Sequence, residues 1–216
     1  MTAARPDALL LLTSSCPYCP TVLQGLSELV KSGLIGRLEV VNIGVRPEVA
    51  QQLGVRSVPW VRLGPFELEG LQSPAELKQW AERAGKPDGL AEYFRELLKD
   101  GQLAKVTSYI RRHAVAVGDL LKLLAGPDVE LTVRIGISAV FEELEGDTAL
   151  HDAFDTLTGL SRHQDAHIRA DAAHLLSLTH HRDAAPHLEA LLSDSVADVV
   201  EIAREGLERL RGRKGN

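Results

Sequence analysis

The chain has 216 residues, of which 44% are hydrophobic and 25% charged, a composition typical of globular proteins with one large domain or two small ones. No apolar run approaches the roughly 18 residues that cross a bilayer, and residues 1–7 do not resemble a secretory signal, so we expect a cytoplasmic protein without membrane contact. Residues 1–86 hold 9 of the 24 basic and 8 of the 30 acidic side chains. The remainder of the chain therefore holds 15 basic and 22 acidic side chains and is net acidic. Because phosphate binding needs a basic surface, this acidic second part argues against a nucleic-acid partner.

Residues 1–86 alternate between strand and helix patterns. Ala8–Leu12 is a continuous apolar run, as expected of a strand covered on both faces. Apolar positions between 22 and 30 recur at helical spacing, and Gly33 ends that helix. The later predicted elements are a strand at 38–43, a helix at 47–53, a hairpin of strands at 60–63 and 66–69, and a helix that begins at a capping box of Ser73 and Glu76. This order predicts a parallel βαβ unit followed by an antiparallel hairpin.

The turn-forming segment at 85–89 marks a predicted domain boundary. It separates an α/β domain at 1–86, with a central mixed sheet and flanking helices, from an all-α domain at 87–216. No strand pattern appears in the second domain. Its first helical patterns, at 90–99, 103–112 and 115–124, are short and are broken by Gly101, Gly118 and Gly126-Pro127.

Three later helices of the second domain share a pattern. Their alignment places two sets of apolar positions in register, namely Ile137, Ala172 and Ala203, and Phe141, Leu176 and Leu207. Partner helices are predicted at 149–160 and 185–192. The separation of the aligned helices has the scale of a helix-pair repeat. An irregular helical bundle is the alternative.

The same helices carry residues that resemble the HEAT-like repeat family. Asp128, Asp165 and Asp198 stand in the turns or near the helix starts, and Arg134 and Arg169 each follow an apolar residue. The resemblance implies that these arginines pair with turn aspartates and brace neighbouring repeats. It also implies an extended surface that binds a protein partner.

The two cysteines of the chain, Cys16 and Cys19, are separated by Pro17 and Tyr18. A zinc site would need a second pair of ligands, and no second cysteine pair exists. A redox pair instead needs a helix N-terminus, where unpaired N–H groups stabilise a thiolate, and here the predicted order is strand, loop, Cys16 and helix. Pro17 and Pro20 suit the first turn of that helix because no N–H is needed there. The pattern predicts thiol–disulfide chemistry without a metal or another cofactor.

A second motif, Val58-Pro59, lies just before the predicted hairpin. Together with the strand order and the Cys-Pro-Tyr-Cys loop, it resembles the thioredoxin superfamily over residues 6–86, nearer the glutaredoxins. The resemblance implies a cis peptide bond before Pro59, which lies against the cysteine pair. It further implies that Cys16 attacks a substrate disulfide and that Cys19 resolves the mixed disulfide.

The residues around these two motifs are the candidate substrate-binding set: Pro17, Tyr18, Val58, Pro59 and Trp60. The main chain of Val58 would pair with an extended substrate. Trp60 is expected either to form an apolar lip beside the site or to face the core as a strand residue.

The chain also departs from its relatives. Ser15 stands where thioredoxins have a tryptophan, Ala8–Leu12 contains no buried acid, and no basic residue directly precedes the cysteine pair as in glutathione-using glutaredoxins. We therefore predict a protein disulfide as substrate rather than glutathione, with an electron-donating reductase as second partner.

Two functions and one further ligand class stay open at this point. The chain is either an oxidoreductase whose helical domain docks a protein client, or a redox-sensing adaptor with little general reductase activity. A metal or cluster shared by the cysteines of two chains is a third possibility. His163, His167 and His174 would lie on nearly one face of a helix at 164–178 and could bind a metal, although histidines on solvated helices are common.

Overall fold

The computed structural model describes residues 5–126 and 129–212 of the chain. The chain divides into two compact units, Met1–Leu90 and Ala91–Asn216, here called the first and second unit. Asp128, one of the predicted turn aspartates, lies outside the described residues. Within the described ranges, no helix combines the length and the apolar character needed to span a membrane.

The first unit contains a four-stranded mixed sheet in the order β2-β1-β3-β4. Its strands are β1 (Ala8–Leu12), β2 (Leu38–Asn42), β3 (Trp60–Leu63) and β4 (Phe66–Glu69). β1 pairs with β2 in parallel and with β3 antiparallel, and β3 pairs with β4 antiparallel. The predicted βαβ unit and hairpin are thus confirmed.

Three helices accompany the sheet: α1 (Cys19–Lys31), α2 (Pro47–Leu53) and α3 (Pro74–Ala84). Each has a proline in its first turn, where the missing N–H costs nothing. Gly54 ends α2 with φ +69°, a conformation that glycine adopts without steric cost. The capping box predicted at the start of α3 is present: Ser73 Oγ accepts from Glu76 N–H, and Glu76 Oε2 accepts from Ser73 N–H.

The core of the first unit lies on both faces of β1, because Leu9, Leu10 and Leu11 are all buried. Leu9 and Leu11 pack in one cluster with Val41 and Trp60. Burial on both faces explains why β1 reads as an unbroken apolar run rather than as an alternating one.

The second unit is helical throughout its described residues. Its helices are α4 (Gly89–Lys99), α5 (Leu103–Arg112), α6 (Val117–Leu124), α7 (Leu131–Glu143), α8 (Phe154–Leu160), α9 (Ala166–Leu178), α10 (Ala184–Leu191) and α11 (Ala197–Gly212), with 3₁₀ turns at Ala114–Ala116 and Thr148–Ala153. α4 begins at the last residues of the first unit. The α/β-then-helical fold class is confirmed.

Helices α7, α9 and α11 pack in succession. The six positions aligned from the sequence are all buried there. Buried small residues allow close packing: a Cβ on Gly206 of α11 would lie 3.1 Å from Leu188 and Ser177 side-chain atoms. The assignment to HEAT-like repeats stays a prediction.

Two local predictions in the second unit are wrong. Gly118 does not interrupt a helix but lies in the first turn of α6, where the cost of glycine is smaller than in a helix interior. The partner segment at 149–160 is not one helix, since its first part is the 3₁₀ turn Thr148–Ala153, whose Asp147 side chain accepts from Ala149 N–H.

Charged side chains connect helices and turns that are not neighbours along the chain of the second unit. Glu130, just before α7, pairs with Arg95 and Lys99 of α4. Arg169 of α9 makes two hydrogen bonds, of 2.7 and 2.8 Å, to the Asp194 carboxylate in the turn before α11. Arg134 of α7 pairs with Asp171, which lies inside α9. Arg169 therefore pairs with a turn aspartate as predicted, although Asp194 is not one of the three named from the sequence, whereas the described partner of Arg134 lies within a helix.

Candidate active site

The cysteine pair lies between β1 and α1 of the first unit. Cys16 and Cys19 form a disulfide with their Cα atoms 5.5 Å apart. Cys19 is the first residue of α1 and is only 3% exposed, whereas Cys16 precedes the helix and is half-buried. Cys16 is therefore the sulfur that an incoming thiol or disulfide reaches first.

Main-chain groups surround the Cys16 sulfur. The N–H of Cys19 donates to Cys16 Sγ across 3.2 Å, and the carbonyl oxygen of Val58 lies 3.7 Å from the same sulfur. An N–H directed at a sulfur from the first turn of a helix stabilises negative charge on it. The reduced protein can thus hold a Cys16 thiolate at the start of α1.

The second predicted motif lies against this sulfur. The Val58–Pro59 peptide bond is cis, as the resemblance implied. Pro59 is buried and Val58 is half-buried. The carbonyl of Pro59 accepts from Gly70 N–H at 2.9 Å, which connects this loop to the residue after β4. The structure therefore brings Val58 and the cysteine pair together, although 42 positions separate Val58 from Cys16.

The residues between the cysteines face solvent. Pro17 is exposed and Tyr18 is 55% exposed. Since α1 has Tyr18 as its N-cap, Pro17 lies before the helix, and the prediction that it occupies the first turn is wrong. Pro20 does occupy that turn. The exposed pair supplies apolar surface beside Cys16.

Trp60 takes the second of its two expected positions. Its side chain is 3% exposed and packs with Leu9, Leu11 and Val41 in the core of the first unit. As the first residue of β3, it pairs with Glu69 of β4. A direct contact between a substrate and this indole would require the side chain to leave the core.

Asn42 is a residue of this region that the sequence did not single out. It ends β2 beside Leu12, the last residue of β1. Its side-chain amide donates to Ser14 Oγ at 3.1 Å, within the loop that carries Cys16. The two residues are 28 positions apart, so only a prediction of the sheet pairing could have found the contact.

The histidines of the second unit do not form the predicted row. His163 precedes α9, and its Nδ1 accepts from Asp165 N–H. His174 contacts Glu142 of α7, and the neighbouring Asp171 pairs with Arg134. No cluster of three or more metal-ligating side chains occurs among residues 5–126 and 129–212.

A cysteine pair at the start of the first helix, a proline loop against it and a mixed four-stranded sheet define a domain able to undergo thiol redox chemistry. Residues 8–82 match the thioredoxin domain family, so the first unit is a thioredoxin-superfamily domain. A comparison with curated proteins gave no match. The narrower likeness to glutaredoxins stays a prediction.

Proposed function

We propose that the protein is a thiol–disulfide oxidoreductase that reduces protein disulfides through Cys16 and Cys19. The observation that carries the proposal is the asymmetry of the pair: Cys16 is accessible and accepts a helix-terminal N–H, while Cys19 is buried directly behind it. An attacking sulfur has to be accessible and stabilised as a thiolate, and a resolving sulfur needs only to reach its partner.

The proposed exchange has two steps. The Cys16 thiolate attacks one sulfur of the substrate disulfide, so that a mixed disulfide forms and the other substrate sulfur leaves as a thiolate. Cys19 then attacks Cys16 Sγ, which forms the Cys16–Cys19 disulfide and releases the second substrate thiol. The two electrons come from the dithiol, and a reductase partner has to return them for the next cycle. A cytoplasmic location would favour this direction.

Features around the pair favour a polypeptide substrate. The half-buried Val58, next to Cys16 Sγ, offers a main chain with which an extended segment can pair. Tyr18 and Pro17 add exposed apolar surface at the same place. Trp60 was also a candidate substrate-binding residue, but its side chain is buried. In this proposal its contribution is its place at the start of β3, directly after Pro59.

We further propose that the second unit, as a HEAT-like repeat domain, recruits the protein client. On α7, Leu131 and Ile135 lie four positions apart and are 71% and 61% exposed. They border a cavity of about 490 Å³ between α7 and α9. Large exposed apolar side chains beside a concave surface are typical of protein-binding sites.

The test is dithiothreitol-driven reduction of insulin by the full chain and by two variants. Wild type should exceed dithiothreitol alone, and Cys16→Ser should lose all of the added rate because the remaining sulfur, Cys19 Sγ, is buried. Cys19→Ser, reduced beforehand and freed of dithiothreitol before insulin is added, should stop after the first step and retain substrate as a mixed disulfide, which mass spectrometry detects.

The outcomes separate the two functions that the sequence left open. A wild type no faster than dithiothreitol alone contradicts a general protein disulfide reductase and favours the redox-sensing adaptor. If Cys16→Ser keeps the wild-type rate, the assignment of Cys16 as the attacking sulfur is wrong. A client held covalently by Cys19→Ser in cell extract, and absent with Cys16→Ser, would identify the physiological substrate.

A further inference from the structure

The turn that precedes Cys16 accepts a hydrogen bond from the side chain of Asn42, which lies on another strand. Cys16 N–H donates to the Thr13 carbonyl at 3.3 Å, so residues 13–16 form a β-turn with Ser14 and Ser15 at its two central positions. Ser14 Oγ accepts from the Asn42 side chain. The link therefore joins the end of β2 to the turn that ends at Cys16.

Asn42 is itself fixed by main-chain contacts. Its Oδ1 accepts from Gly44 N–H at 2.9 Å, and its carbonyl accepts from the N–H groups of Val45 and Arg46. Because a main-chain N–H can only donate, the amide oxygen has to face Gly44 and the amide nitrogen has to face Ser14. An asparagine bonded to the main chain two residues ahead is a rigid anchor rather than a mobile surface side chain.

The anchor lies where β1 and β2 end side by side. Leu12 is paired with Asn42, and Ile43 N–H donates to the Leu12 carbonyl. The chain leaves β1 at that point and reaches Cys16 within four residues. Movement of Ser14 would therefore displace Cys16 relative to Cys19 N–H and the Val58 carbonyl.

We propose that Asn42 is a positioning residue for the redox reaction: through Ser14 it holds the Cys16 turn so that the sulfur stays on the Cys19 N–H. This inference rests on the proposed oxidoreductase function and adds a residue to its machinery. The Asn42 side chain touches neither sulfur. We therefore expect its loss to make the Cys16 thiolate form less readily, while the thiolate that does form still reacts.

The test follows alkylation of the reduced full chain by iodoacetamide as a function of pH. Cys19 is buried, so Cys16 reacts first, and mass spectrometry identifies the site. Loss of one hydrogen bond that favours the thiolate geometry should move the pH midpoint upward by about half a unit in Ser14→Ala. Asn42→Ala should give a similar shift, and the double variant should add nothing further because both changes remove the same link.

Two matched variants separate positioning from general disturbance of the turn. Ser15 occupies the other central position, is exposed, and makes no side-chain hydrogen bond within the described part of the chain; Ser15→Ala should keep the wild-type midpoint. Ser14→Thr retains a hydroxyl and should restore it. The Ser14 variants decide the question even if Asn42→Ala fails to fold.

Opposite results have distinct meanings. A Ser14→Ala midpoint equal to wild type, or an equal shift in Ser15→Ala, overturns the role of Asn42. Wild-type insulin reduction, measured in parallel, reports separately on the proposed function: an active wild type with an unshifted Ser14→Ala removes only the positioning role.

Discussion

The two units differ in which polar groups make their notable contacts: main-chain groups around Cys16 in the first unit, and charged side chains in the second. In the first unit, the described contacts of Cys16 Sγ outside the disulfide come from the main chain, namely Cys19 N–H and the Val58 carbonyl, and the side-chain bond from Asn42 to Ser14 is anchored at the main chain of Gly44. In the second unit, charged side chains of different helices and turns pair with one another, as Arg169 of α9 does with Asp194 in the turn before α11. Main-chain groups keep their positions when side chains change, so they suit the fixed geometry of a reaction.

The difference indicates where function can lie in each unit. A thiolate is stabilised by the positive end of a fixed dipole, which the Cys19 N–H at the start of α1 supplies to Cys16 Sγ. In the second unit, Arg169 and Asp194 satisfy each other's charge in joining α9 to the turn before α11, so they stabilise the packing of helices. Any binding by the second unit is left to its exposed surface, such as the α7 face with Leu131 and Ile135.

The largest expected effect comes from the most enclosed of these ion pairs. Arg169 and Asp194 are 14% and 9% exposed and share two hydrogen bonds. Arg169 also donates to the carbonyls of His163 and Gln164. Arg169→Ala removes the guanidinium donor from two carbonyls and from the Asp194 carboxylate, which keeps only main-chain donors such as Val196 N–H, and should lower the melting temperature by roughly 5 °C. Circular dichroism at 222 nm measures it.

The control for Arg169→Ala is Arg182→Ala. Arg182 is 90% exposed and pairs only with its sequence neighbour Asp183 in the described structure, so its loss should leave the melting temperature unchanged. Equal effects of the two variants would mean that the ion pair contributes no more than an exposed arginine, and the contrast between the two units would fail.

The contribution of the Arg169–Asp194 pair to stability should also depend on pH. The hydrogen bond from Arg169 is the main cause that lowers the pKa of the Asp194 carboxyl below its usual value. The resulting stability is present above the unfolded-state value of about 3.9 and is lost as the pH falls through the folded-state pKa. The urea midpoint should thus fall more steeply below pH 4 in wild type than in Asp194→Asn. Parallel curves for the two proteins would contradict the prediction.

Structural features that depend on a short segment of the sequence can be predicted from it, whereas features that depend on residues far apart in the chain cannot. The apolar strand pattern at Ala8–Leu12, the glycine that ends α2 and the Ser73–Glu76 capping box are local signals, and these were confirmed, whereas the local interpretations of Pro17 and Gly118 were wrong. The cis bond at Pro59 came from family resemblance. The link between Asn42 and Ser14 depends on strand pairing, which no short segment encodes.

In the second unit, the partners of individual side chains were harder to predict from the sequence than the buried positions of the helices. Arg134 was expected to reach a turn aspartate but meets Asp171, because its side chain leaves α7 opposite the second turn of α9. His163 was expected on that helix, yet α9 begins at Ala166. Apolar periodicity indicates which residues of a helix are buried, but it does not encode which polar side chain of another helix faces a given arginine, so the aligned buried positions were confirmed while the expected partner of Arg134 was not.

The smallest predicted effect concerns the capping box of the first unit. Ser73→Ala removes the acceptor for Glu76 N–H at the start of α3, and should lower the melting temperature by about 3 °C. Ser27→Ala is the matched control, since Ser27 Oγ only donates to the Leu23 carbonyl within α1, and alanine favours a helix interior at least as well as serine. Calorimetry of both variants therefore compares a terminal side-chain contact with an interior one. A Ser73→Ala loss as large as that of Arg169→Ala would remove the distinction between local caps in the first unit and helix-joining pairs in the second.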